Sequence, residues 1–144
     1  MVIAYLFILL FLYTGMSKLM DYTVFKEQIG SSPILRPLAP LVAWALPLTE
    51  FVVAALLFIP RTRQLGLYIS FVLMLFFTGY IIAILNFSEH IPCSCGGVLE
   101  NLSWQQHLIF NIVFTILALA GALLERRDRQ QPTDSTHPTA IEWQ

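Results

Sequence analysis

Four apolar blocks, set apart by short polar breaks, organise the chain. They run from about Val2 to Met20, Leu38 to Ile59, Leu65 to Phe87 and Trp104 to Leu124. Each is close to the ~20 residues that an α-helix needs to cross a bilayer. Backbone N–H and C=O groups find no water in lipid, so blocks of this length are expected to be helical. The pattern predicts an all-α membrane protein, a four-transmembrane-helix bundle, with no internal repeat. The first block has no basic segment before it and no small-x-small cleavage site after it. Lys18 and Asp21 come there instead, so it reads as a retained helix and not as a signal peptide. After it, Asp21–Ile29 places Tyr22, Phe25 and Ile29 on one helical face. A short interfacial helix is predicted, with Asp21 as its N-cap and Gly30 as its stop, packing over the mouth of the bundle.

Composition agrees with this pattern and charge adds an orientation. The 144 residues are 57% hydrophobic and 12% charged, with a mean hydropathy of +0.71. A soluble domain carries roughly twice that charged fraction. A net charge of −1 gives no support to nucleic-acid binding, and the expected surroundings are a lipid bilayer. Arg61 and Arg63 lie between the second and third blocks, and Arg126, Arg127 and Arg129 follow the fourth. Four spans put both groups on the side of the N-terminus. Lys18, Lys26 and Arg36 occupy the first loop of the other side, and the second loop there has no Lys or Arg. The bias favours both termini in the cytoplasm (N-in/C-in). It predicts a multi-pass protein of a bacterial inner membrane whose residues 1–124 form the membrane domain. Residues 125–144 are expected to be a cytoplasmic tail, disordered where Pro, Thr, Ser and Gln accumulate, with His137 solvated there.

Against this background the stretch Pro92-Cys93-Ser94-Cys95-Gly96-Gly97 stands out. It holds both cysteines of the chain and falls in the loop expected to face outward, where disulfide chemistry is permitted. A disulfide between Cys93 and Cys95 would close a tiny ring, adding little stability and straining the bond toward lability. Gly96 and Gly97 let the backbone bend and leave room for another sulfur to approach. His90 would lower a thiol pKa if the fold brought it close. The alternatives are a reduced inert pair, a static staple, or a soft-metal site that adds His90 or His107 for Cu(I) or zinc. Structural zinc sites show two ligand pairs where this sequence has one, and no metal ligands are assigned.

Polar residues near and inside the predicted spans complete the candidate chemistry. Ser103-Trp104-Gln105-Gln106 matches a capping box and sets the start of the fourth span. The positive end of that helix would face the cysteine loop. His107 and Asn111 follow one turn apart on one face. Glu50 falls mid-span, where a carboxyl costs about 2.5–3.5 kcal/mol on insertion scales, so it should face the bundle interior. Lys18 stands near the outer end of the first span, at a depth about one turn from Glu50. The two are expected to form a structural ion pair, or Lys18 to snorkel alone; the sharper alternative is a proton or quinone site beneath the thiols. Pro47 frees the carbonyl of Ala43. Gly15 permits close helix packing, and Asn86 and Asn111 are expected to hydrogen-bond across helices.

Tyr13-x-Gly15-x-x-Lys18-Leu19, Pro47-x-x-Glu50 and the outward Cys-x-Cys-Gly-Gly loop together resemble the DoxX-like superfamily, in its methylamine-utilisation (MauE) branch, over about residues 1–124. The resemblance implies a four-helix membrane protein tied to thiol redox chemistry, with Gly15, Lys18, Pro47, Glu50, Cys93 and Cys95 at matching positions. It does not carry methylamine over as a substrate. The reading reached is a thiol–disulfide relay in which Cys93 and Cys95 cycle, supported by His90, Gly96, Gly97 and His107 in the loop and by Lys18, Glu50 and Asn111 in the membrane. Its expected partner is an extracytoplasmic thioredoxin-like or disulfide-containing protein. A quinone near Glu50 follows only by analogy with four-helix disulfide oxidases. The alternatives are a non-enzymatic membrane anchor or assembly subunit, or a copper- or zinc-binding membrane protein. No Rossmann, haem-attachment or hydrolase signature occurs.

Overall fold

The structure is a computed structural model that describes residues 2–87 and 103–131. Five α-helices and one 3-10 turn account for nearly all of these residues: α1 Val2–Met20, α2 Tyr22–Ser31, a turn at Arg36–Leu38, α3 Ala39–Phe58, α4 Arg63–Phe87 and α5 Trp104–Gln130. Among the described residues there is no strand. Four helices are long and apolar enough to cross a membrane, as the hydropathy pattern predicts. α1 packs most extensively on α3, and α4 on α5, with α3 against α4 joining the two pairs. Large apolar side chains such as Phe76, Leu41 and Trp44 stay outward, each more than 60% exposed. Patches of that size belong against lipid.

The core forms where small residues let backbones approach. Phe7 and Phe11 of α1, Val53 and Leu57 of α3, Leu67 and Met74 of α4 and Ala118 and Ala122 of α5 make one buried cluster. Gly66 sits so close to α3 that a Cβ there would lie 3.1 Å from the backbone nitrogen of Leu57. Gly121 is as tight, with Ile3 of α1 2.9 Å from where its Cβ would be. Lipid does not drive helices together by the hydrophobic effect, so this close approach carries the association.

Several local expectations hold and several are revised. The helix predicted after the first span exists as α2, with Phe25 and Ile29 buried and Tyr22 against Trp44 at 5.5 Å between ring centroids. Asp21 occupies the N-cap position without a side-chain cap bond, and the helix runs through Gly30 to Ser31. Gly30 is therefore not its stop, because a helical Gly costs only about 1 kcal/mol and burial of Ile29 carries the turn. α5 continues past Leu124 to Gln130, so residues 125–130 are helical. Their polarity ends the apolar block without ending the helix. Glu125 is buried and pairs with Arg129 at 3.5 Å. Arg129 also donates to the carbonyls of Pro60 and Arg61, tying α5 to the α3–α4 turn. Asn86 and Asn111 donate to Ile82 O at 2.8 Å and His107 O at 3.0 Å within their own helices, and among the described residues neither makes the cross-helix bond expected of it. A carbonyl one turn back is always in reach.

The capping box at the start of α5 is complete. Gln106 N donates to Ser103 Oγ at 3.3 Å and Ser103 N to Gln106 Oε1 at 3.0 Å. Replacing Ser103 by alanine should lower stability by about 1 kcal/mol, read as a reduced unfolding midpoint in detergent. Ser103→Asp should restore most of it, and an unchanged midpoint in Ser103→Ala would show that the cap contributes nothing.

Candidate functional site

α1 and α3 pack side by side, which brings the C-terminal end of α1 to the middle of α3. Lys18 and Glu50 meet there, with Nζ 2.6 Å from Glu50 Oε1. The length of the lysine side chain closes the one-turn difference in depth. Glu50 is 1% exposed and Lys18 11%. A charge of either sign alone at this depth would be strongly disfavoured, and pairing makes both tolerable. Lys18 Nζ also lies 5.8 Å from the centroid of the Phe25 ring on α2, within cation–π range. Gly15 makes room for this arrangement: a Cβ there would stand 3.2 Å from the Phe51 ring and 3.4 Å from Glu50 Oε2. Oε2 is buried and has no hydrogen-bond partner among the described residues. The neighbouring Thr14 hydroxyl donates to Leu10 O at 2.9 Å.

The ion pair forms part of the wall of a cavity of about 310 Å3. α1 and α3 contribute Thr14, Lys18 and Glu50, α2 contributes Phe25, Gln28 and Ile29, and α5 contributes Trp104, His107 and Asn111. The remaining lining is mainly apolar, with the aromatic rings of Phe77, Tyr80 and Phe110 prominent. An apolar chamber of this size with a few converging polar groups is the usual form of a small-molecule site. Lys18, Glu50, His107 and Asn111, drawn from three separated stretches of sequence, are thereby brought to one place. The chamber itself was not legible in the sequence. Its traces there were these four polar residues and the aromatic residues toward the C-terminal end of α4 and the N-terminal end of α5.

His90, Cys93, Cys95, Gly96 and Gly97 lie outside the described residues. Phe87 and Ser103, which bracket their segment in sequence, stand at the C-terminal end of α4 and just before the start of α5. Ser103 therefore adjoins Trp104 and His107, which line the same cavity as Lys18.

Comparison with known proteins agrees with this architecture. The family model described as methylamine utilisation protein MauE matches residues 1–124, which takes in all of α1 to α4 and most of α5. No curated protein and no solved structure gives a match. The match covers the four spans together with both members of the ion pair, and the chain belongs to the MauE family of membrane proteins.

Proposed function

We propose that this protein relays thiol–disulfide exchange at the outer face of a bacterial inner membrane, with both termini in the cytoplasm. Within this reading MauE-type proteins fall in the wider DoxX-like superfamily. Cys93 and Cys95 are the reacting groups, His90, Gly96 and Gly97 shape their loop, and the partner is an extracytoplasmic thioredoxin-like or disulfide-containing protein. The observation that supports the reading most is a conjunction. The sole two cysteines are one residue apart, in a segment whose C-terminal flank adjoins the cavity lined by Lys18, Glu50 and His107. Family membership adds a membrane protein of methylamine utilisation as context. The proposed chemistry is the exchange itself, and methylamine is not its substrate.

The step balances without another reactant. The Cys93 thiolate attacks a partner disulfide, forming a mixed disulfide and releasing one partner thiolate, which takes up a proton. The Cys95 thiolate then attacks the Cys93 sulfur and releases the second partner thiolate. Two electrons pass from the cysteine pair to the partner, and the Cys93–Cys95 disulfide forms. Starting from a partner dithiol, the same steps run in reverse. A strained small-ring disulfide is the more oxidising member of such a pair, which favours the reverse direction and hence disulfide formation in the partner.

Trapping tests this. In membranes from cells expressing Cys95→Ser, a mixed disulfide through Cys93 should accumulate and disappear on reduction. The absence of any such adduct, or full function of a Cys93→Ser/Cys95→Ser protein in its host, would instead make the protein an assembly subunit with a static pair.

A further inference from the structure

We propose that the end of the bundle formed by the α3–α4 turn and the last turn of α5 is a binding site for the phosphate headgroup of an anionic phospholipid. The turn brings Arg61 and Arg63, and α5 brings Arg126, Arg127 and Arg129. The fold gathers these two groups. Arg129 donates to the carbonyls of Pro60 and Arg61, which seats the last turn of α5 against the α3–α4 turn. That turn is itself held, with Thr62 Oγ1 donating to Leu56 O at 2.9 Å and Thr62 N to Ile59 O at 3.1 Å. Two of the five guanidinium groups are occupied in this structure. Arg129 also pairs with Glu125, and Arg63 Nε donates to Leu57 O at 3.2 Å. Arg61, Arg126 and Arg127 are exposed, and among the described residues they make no side-chain hydrogen bond or ion pair. Glu125 and Asp128 are the two carboxylates of these segments; the first is taken up by Arg129, and the second lines a small recess beside Ile3. Cations gathered on a rigid frame repel one another, and an anion seated among them relieves that repulsion. Guanidinium forks match phosphate oxygens in geometry as well as charge. The neighbouring side chains select a lipid over a free ion. Phe58, Leu123 and Leu124 stand one turn before Arg61, Arg126 and Arg127 in the chain, and all three are exposed. A cationic rim beside an apolar wall fits a charged headgroup with acyl chains attached.

Binding here needs neither cysteine, so it stands or falls separately from the relay. The test is native mass spectrometry of the full-length protein in a neutral detergent, titrated with phosphatidylglycerol and with phosphatidylcholine of identical chains. Wild-type protein should retain phosphatidylglycerol about ten-fold or more tightly than phosphatidylcholine, and the preference should shrink as salt is raised. Arg61→Gln/Arg126→Gln should cut that preference by about five-fold or more. Lys26→Gln/Arg36→Gln makes the same change in net charge beyond the N-terminal end of α3, and should leave the preference as in wild type. All four replaced side chains are exposed, and Arg129, which ties α5 to the turn, is kept. Equal retention of the two lipids by wild type overturns the proposal, as does an Arg61→Gln/Arg126→Gln protein that keeps the full preference. Equal losses in the two double variants also overturn it, because overall charge and not this patch would then be read. Release of phosphatidylglycerol by an equal concentration of inorganic phosphate overturns the assignment to a lipid, and retention against it supports that assignment.

Discussion

Lys18→Met should destabilise the protein by about 3–5 kcal/mol, the cost of leaving one member of a buried pair uncompensated. Glu50 has 1% of its side-chain surface exposed, and removal of Lys18 leaves its carboxylate among apolar side chains. The variant can escape part of that cost by protonating the carboxyl, so its loss should be smaller in acid than at neutral pH. Lys18→Met/Glu50→Leu should come back to near wild-type stability, since replacing both charges by apolar groups of similar volume is often neutral. Reversible unfolding of the two variants and wild type, measured in the same detergent, provides the cycle. A Lys18→Met midpoint equal to wild type would mean that the 2.6 Å contact contributes nothing net. Additive losses in the double variant would mean that the two residues act independently.

Gly66→Leu should be the most damaging of the glycine substitutions between α3 and α4. A Cβ at this position would meet Leu57 Cγ and Cδ2 at 3.0 Å and the Leu57 backbone nitrogen at 3.1 Å. A side-chain tip can rotate away, but a backbone atom inside α3 cannot. The two helices must separate along the seam that joins the α1–α3 pair to the α4–α5 pair. Overpacking of this kind typically costs about 1–3 kcal/mol, occasionally more, and the leucine adds further atoms to an already tight contact. Gly79 supplies the control of opposite sign. It lies in the same helix with nothing within 4 Å of a Cβ, so Gly79→Ala should raise stability by about 0.5–1 kcal/mol through helix propensity alone. Thermal unfolding of the pair checks both. Equal effects of the two substitutions would show that α3–α4 proximity at Gly66 does not matter.

Features that depend on near neighbours in sequence were the legible ones. Ser103 and Gln106 are three apart, so their mutual cap follows from helix geometry alone. Tyr22, Phe25 and Ile29 share a face for the same reason, and that face is the buried one. Where the sequence misled, a local rule met a competing interaction. Polar residues after Leu124 end an apolar block, but Glu125 and Arg129 are good helix formers that pair one turn apart, and Arg129 has carbonyls of the α3–α4 turn to bind. Asn86 and Asn111 promised bonds between helices, yet each found an acceptor one turn back.

By itself the sequence determined a four-span helical membrane protein, because unbroken apolar length and the need to satisfy backbone groups in lipid leave no other solution. It also singled out Lys18 and Glu50, since a charge within a span is costly enough to require a partner. It offered their pairing beside a snorkelling Lys18, and the tertiary structure decided for the pair. That depends on α1 lying beside α3, made close by Gly15, over a sequence separation of 32 residues. The tertiary structure alone decided that α2 and α5 enclose this pair, with His107 and Asn111, around one chamber. Helix periodicity fixes which residues share a face; which faces meet is set by packing between elements far apart in the chain, and that leaves no periodic mark in the sequence.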